Sequence, residues 1–134
     1  SRLVAHLPEA LSFEEGAAVI DGAYQGLVAL RRGRVGKGTR LLVYGASGAC
    51  GTACVQLGRH LGAHVTAVCG TKNVELMRSL GADVVIDYQR EDFRKRGEKY
   101  DVIVDAVGVE PAAQGRGACQ AQILVSDAIK PPAR

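Results

Sequence analysis

The chain has 134 residues, 47% apolar and 23% charged, with 17 glycines, 4 prolines and a formal net charge of +3. These proportions fit one globular domain with a real core. They exclude a disordered chain, a collagen-like fibre and a disulfide-dense secreted scaffold, and no apolar run approaches the ~20 residues that span a bilayer.

Residues 1–10 lack the charged-then-apolar layout of a signal peptide. Ser12-Phe13-Glu14-Glu15 reads as a capping box, with Ser12 and Glu15 satisfying each other's backbone donors. It should open a helical stretch to about residue 30, broken near Asp21-Gly22. Residues 31–39, with Gly33, Gly36 and Gly38, form a turn-rich connector. Four short apolar runs follow: Leu41-Leu42-Val43-Tyr44, Val65-Thr66-Ala67-Val68-Cys69, Val84-Val85-Ile86 and Val102-Ile103-Val104. Each is nearly continuous, as in strands covered on both faces of a parallel sheet.

The first gap holds the clearest helix, with Cys50, Cys54, Leu57 and Leu61 on one stripe and Gly62 as its stop. In the second, Val74, Met77 and Leu80 share a side and Gly81 ends the run. The third, near residues 91–96, is short and polar. Repeated βα units of this kind predict an α/β fold, a doubly wound parallel sheet that looks incomplete after the fourth strand. Its divisions are an N-terminal helical segment and connector (1–39), a nucleotide-binding core (40–108) and an unplaced C-terminal segment (109–134) in which Ile123-Leu124-Val125 is a candidate fifth strand. An unpaired fourth strand would leave an open edge and favour a homodimer.

The basic cluster Arg94-Lys95-Arg96 is broken at once by Gly97-Glu98 and reads as a solvated loop, so no nucleic-acid partner is expected. Cys50, Cys54, Cys69 and Cys119 form no C-x-x-C pair and have no histidine at ligand spacing. They read as free thiols of a reducing compartment, with the cytoplasm as the expected location and no metal site. His6, His60 and His64 read as surface residues.

The chemistry concentrates in Gly45-Ala46-Ser47-Gly48-Ala49-Cys50-Gly51, between the first strand and the first good helix. This G-x-x-G-x-x-G spacing is a relative of the dinucleotide fingerprint: Gly45 allows the sharp turn, Gly48 removes a Cβ that would block a pyrophosphate, and Gly51 lets helix and strand pack closely. Amides at the helix start can donate to phosphate oxygens, helped by the helix dipole. A site for NAD usually ends its second strand with an acid. Here that place reads Val68-Cys69-Gly70-Thr71-Lys72-Asn73, without a carboxylate. Lys72 offers a cation and Thr71 a hydroxyl, which suits the 2′-phosphate of NADP(H).

From Pro8 to Gly108 the ordered blocks G-A-S-G-x-x-G, L-G-A-x-V-T-A-V-C, N-x-E-L-x-x-S-L-G-A-D-x-V-I-D-Y and Y-D-V-I-x-D-x-V-G resemble the Rossmann-like cofactor domain of medium-chain dehydrogenase/reductases. The branch is that of the zinc-independent, zeta-crystallin-like quinone oxidoreductases. The resemblance implies NADPH-dependent hydride transfer to a small quinone, enone or related activated carbonyl or alkene. The alternatives are an enoyl-reductase module of a polyketide or fatty-acid synthase and a non-catalytic NADPH-binding remnant.

The implied contacts are Ser47, Gly48, Ala49 and Cys50 at the pyrophosphate, Thr71, Lys72 or Asn73 with Tyr88 near the 2′-phosphate, and Val107-Gly108 near the nicotinamide. Where the family has G-G-V-G this chain has Gly48-Ala49-Cys50-Gly51; where it often has a proline and then a threonine near the nicotinamide, this chain has Ile20 and Gln25. The family's N-terminal GroES-like lobe has no counterpart in these residues, so the chain alone is expected to hold cofactor and catalyse poorly. No proton donor is assigned; Tyr24 is the nearest guess.

Overall fold

The computed structural model describes residues 4–107 and the backbone of 122–125. Its elements run α1 (Phe13–Arg32), β1 (Arg40–Tyr44), α2 (Ala49–His60), β2 (His64–Cys69), a 3-10 turn (Thr71–Asn73), α3 (Val74–Ser79), β3 (Val84–Asp87), a second 3-10 turn (Phe93–Arg96), β4 (Val102–Asp105) and β5 (Gln122–Val125). The strand order is β3-β2-β1-β4-β5. β1 to β4 are mutually parallel, as their continuous apolar runs predict, and β5 runs antiparallel to β4.

The candidate fifth strand, Ile123-Leu124-Val125, is present within β5, and its pairing departs from the unpaired β4 that was expected. The outer side of β4 is paired with β5, so the open edge on which self-association was expected is closed; among the described residues the sheet runs from β3 to β5. Residues 108–121 and 126–134, with Gly108 and Cys119, lie outside the described residues.

The capping box is present in both directions: Glu15 N donates to Ser12 Oγ at 3.1 Å and Ser12 N to Glu15 Oε2 at 2.8 Å. Contrary to expectation, α1 runs unbroken through Asp21-Gly22. Gly22 is a packing glycine, since a Cβ there would lie 2.6 Å from the Ala49 carbonyl oxygen. Gly26 serves the same contact, with a Cβ reaching 3.1 Å from that of Ala53. Two helix backbones that meet this closely gain more from contact than the ~1 kcal/mol each glycine costs in a helix.

α2 lies between α1 and the sheet, so its buried arc is wider than the predicted stripe. Cys50, Gly51, Cys54, Val55 and Gly58 are buried, whereas Leu57 is half-buried and Leu61 exposed. Gly62, at φ +84°, stops α2, and Gly81, at φ +100°, ends the run after α3. Leu41, Val43, Val65, Ala67, Val102 and Val104 meet α1, α2 and α3 on one sheet face. On the other, Leu42, Val68, Ile86 and Ile103 pack with Tyr100 and Phe93. The third crossover is thus a 3-10 turn on the opposite face, which makes the winding double. Its basic cluster is ion-paired at the surface, Arg94 with Asp92 and Arg96 with Glu91 and Glu98.

Two acids pin the register at the sheet's lower end. Asp83 accepts from Val65 N, and Asp101 from Arg40 N, both at 2.8 Å. No described helix is long and apolar enough to cross a membrane.

Candidate functional site

The strand order reverses between β1 and β4, and in open α/β sheets the crevice beyond the carboxyl ends of the strands at such a point takes ligands. A cleft of about 620 Å³ lies there, lined by residues following β1 (Gly45, Ser47, Gly48), β2 (Gly70, Thr71, Lys72, Asn73), β3 (Tyr88, Gln89) and β4 (Ala106, Val107). Eight of the expected residues are therefore brought together: Gly45, Ser47, Gly48, Thr71, Lys72, Asn73, Tyr88 and Val107. Ala49, Cys50 and Gly51 form the first turn of α2 just behind.

The glycines differ in what demands them. Gly45 has φ +73°, and a Cβ on it would meet Val107 Cγ2 at 2.1 Å. At Gly51 a Cβ would lie 2.3 Å from the Gly45 carbonyl oxygen and 2.7 Å from the Ala46 backbone. Gly48 is otherwise: its φ of −78° and ψ of 175° are open to any residue, and its nearest protein neighbour would be 3.7 Å from a Cβ. Neither conformation nor packing accounts for it, which leaves the space in front as the reason. Gly48 is also the N-cap of α2, with no side-chain cap and no acid in the first turn. The amides of the first turn therefore face outward without an intrahelical partner, beside the positive end of the helix dipole. The Gly48 amide itself turns back to the Gly45 carbonyl at 3.3 Å.

On the β2 side, Lys72 is exposed and Tyr88 packs over Gly70, its hydroxyl 3.5 Å from where a Gly70 Cβ would stand. Thr71 is not free as the sequence suggested. Its hydroxyl lies 2.6 Å from Asp87 Oδ2 and 2.7 Å from Gln89 Oε1. Asp87, which the sequence reading passed over, is 9% exposed at the end of β3, directly in register with Cys69 at the end of β2. The signal was available in Val84-Val85-Ile86-Asp87, an acid closing an apolar strand.

Cys50 and Cys54 are buried with their sulfurs 4.0 Å apart. The Cys54 thiol as hydrogen-bond partner pulls Cys50 down to about 7, against burial and the nearby Asp21 carboxylate. Burial pushes Cys69 up. Gln25 donates to Asp21 at 2.8 Å, and its own oxygen is buried without a partner. Tyr24 is 70% exposed on α1 and lines no part of the cleft. His6, His60 and His64 are exposed.

The amides, the small residue before them and the cation at the β2 end suit a dinucleotide with a phosphorylated ribose. Among the described residues no three His, Cys, Asp or Glu side chains cluster.

Comparison with known proteins agrees with this geometry. Residues 49–117 match the family model described as zinc-binding dehydrogenase. The chain is 36% identical to a 2-methylene-furan-3-one reductase of Solanum lycopersicum, over 98% of this chain and 34% of that protein. It is 46% identical to the trans-enoyl reductase pgmF of Aspergillus terreus, over 65% of this chain and 25% of that one. The quinone oxidoreductase of Thermus thermophilus, described with its NADPH complex, superposes with a TM-score of 0.69 at 35% identity, over 76% of this chain and 35% of that one. The chain thus spans a quarter to about a third of these proteins. With about half of its residues matched by the family model, the chain belongs to the zinc-binding dehydrogenase family, as its Rossmann-like cofactor-binding domain.

Proposed function

We propose that the cleft binds NADPH and serves zinc-independent reduction of a small activated alkene or carbonyl compound, of the enone or quinone class. The carrying observation is Gly48, a glycine that the protein's own backbone and packing do not require, set before unpartnered helix amides. The reductase and oxidoreductase names of the relatives support the substrate class.

NADPH, when bound, supplies the hydride. The chain's own residues bind and orient. First-turn amides of α2, Ala49 to Gly51, take the pyrophosphate. Lys72 and the Tyr88 hydroxyl take the 2′-phosphate. Val107, 57% exposed and seated over Gly45, forms an apolar wall at the β4 end that would hold the nicotinamide ring. Holding the ring against such a wall lowers the barrier by orientation rather than by acid–base chemistry. The likeness to pgmF favours one second reading, reduction of an enoyl chain in a synthase setting by the same site. The buried free thiols of Cys50, Cys54 and Cys69 support a reducing compartment such as the cytoplasm.

Equilibrium titration with NADPH, followed by reduced-nicotinamide fluorescence, tests the binding. NADPH should bind, and Lys72→Ala should weaken NADPH about tenfold while leaving NADH unchanged. Absence of NADPH binding to the wild-type chain refutes the proposal.

A further inference from the structure

Sequence rules look for an acid at the end of β2 and find none in this chain. The sheet supplies one from the neighbouring strand, because Asp87 of β3 stands opposite Cys69. Asp87 is held in a fixed pose: Oδ1 accepts from Gln89 N at 3.0 Å, Oδ2 accepts from Thr71 Oγ at 2.6 Å, and Arg90 Nε lies 3.5 Å from Oδ2. A threonine hydroxyl has one proton. The short, charge-assisted bond to Asp87 takes it. Gln89 Oε1 stands 2.7 Å from the same oxygen with no proton left for it, so the Gln89 amide is assigned with its oxygen and nitrogen exchanged and its NH2 donating. The remaining lone pair of Thr71 belongs to an exposed residue that lines the cleft. Thr71 therefore faces the ligand as an acceptor. An acceptor suits a ribose 2′-hydroxyl, which can donate, and does nothing for a 2′-phosphate, which cannot.

We propose that Asp87 acts through Thr71 as a specificity-determining positioning residue, giving the cleft an acceptor for a ribose 2′-hydroxyl so that it takes NADH as well as NADPH. The proposal rests on the reading of the cleft as an NADPH site. Lys72 and Tyr88 favour the phosphorylated cofactor; the Asp87–Thr71 pair offsets part of that preference.

Asp87→Asn tests the polarity. With Oδ1 held by Gln89 N and the Gln89 NH2 still donating to Thr71 Oγ, the new amide nitrogen takes the place of Oδ2 and donates to Thr71 as well, so both lone pairs are filled and the proton of Thr71 points toward the cleft. Thr71 then becomes a donor, and Arg90, 78% exposed on its side chain, swings into solvent. The readout is the ratio of the NADH to the NADPH dissociation constant, obtained by fluorescence titration on chains whose folding is checked by circular dichroism.

Wild type should bind both cofactors, and Asp87→Asn should raise the ratio about tenfold in favour of NADPH, the size of one hydrogen bond to a charged group. In a Thr71→Val background, at the exposed start of the 3-10 turn and checked for folding in the same way, Asp87→Asn should leave the ratio unchanged. An unchanged ratio in Asp87→Asn overturns the proposal, as does an equal rise in the Thr71→Val background, which would mark a simple charge effect. NADPH binding without any NADH binding overturns it while sparing the NADPH site. Failure of both cofactors to bind removes the two together.

Discussion

Gly48 and Gly51 stand three residues apart in one turn, yet they should respond in opposite ways to an added side chain. An alanine Cβ at Gly51 would lie 2.3 Å from the Gly45 carbonyl oxygen and 2.7 Å from Ala46 Cα and C, all of it backbone that no rotamer change can relieve. Overpacking of that kind costs about 3 kcal/mol at the upper end of its range, and relief from glycine in a helix returns at most about 1 kcal/mol. The net loss of about 2 kcal/mol lowers the melting temperature by roughly 6–10 °C for a domain of this size.

Serine at Gly48 meets only the Gly45 oxygen, 3.7 Å from its Cβ, in a backbone conformation it readily adopts. It is a better N-cap than glycine by a few tenths of a kcal/mol, so Gly48→Ser should melt at or slightly above wild type. Its Cβ and hydroxyl nevertheless occupy the space before the α2 amides, and the hydroxyl competes for them. NADPH binding should fall ten- to a hundredfold, the loss of one charge-assisted hydrogen bond. Thermal melts by circular dichroism and the NADPH titration read the two effects separately. Unchanged NADPH affinity in Gly48→Ser refutes the assignment of Gly48 to a ligand, and a wild-type melt for Gly51→Ala refutes the packing argument.

Gly22→Ala should lower stability by about 2 kcal/mol, because its Cβ would press on the Ala49 carbonyl oxygen at 2.6 Å; it should also weaken NADPH, since Ala49 opens α2, and a urea midpoint equal to wild type would count against it. The amide and guanidinium of Arg40 hold the Asp101 carboxyl below its ordinary range. A depressed folded-state value means that this contribution is complete above the unfolded carboxylate range and is lost as pH falls through the folded value. Asp101→Asn should therefore be less stable than wild type at about pH 6, with the gap narrowing as pH falls below the ordinary carboxylate range of about 4; a gap that stays constant or widens on acidification contradicts this. Cys54→Ala removes the hydrogen bond that brings Cys50 down to about 7, so thiolate absorbance in a pH titration should show Cys50 shifting upward, toward an ordinary thiol.

The features read correctly from the sequence are those whose cause is local. The four parallel strands follow from apolar runs covered on both faces, the capping box from two residues three apart, and the turn from glycines lying between a strand and a helix. What was misread depends on distant partners. Gly22 resembles a helix breaker until α2 is placed against it, 27 positions further along the chain. Leu57 and Leu61 fit the periodicity of α2, yet the helix buries Val55 and Gly58 instead, because it is covered by α1 and the sheet together. The strand at Ile123-Leu124-Val125 was legible in the sequence, but its antiparallel pairing with β4 was not, because the partner of a strand is set by the sheet and not by its own pattern.

The acid at the cofactor end shows the same limit with a chemical consequence. Reading along β2 treats the carboxyl end of a strand as private to that strand. In a parallel sheet it is shared: neighbouring strands point the same way and end side by side, so a residue 18 positions away in sequence can stand opposite the β2 terminus, as Asp87 stands opposite Cys69. Such an acid is buried rather than displayed, at 9% exposure, and reaches the ligand only through what it holds. It holds the proton of Thr71. The hydroxyl that looked like a donor for a phosphate thereby turns into an acceptor, and the preference between the two cofactors passes to Lys72 and Tyr88 on one side and the Asp87–Thr71 pair on the other. Which hydrogen bonds a side chain still has to offer, more than which residue type occupies the position, decides what the cleft selects.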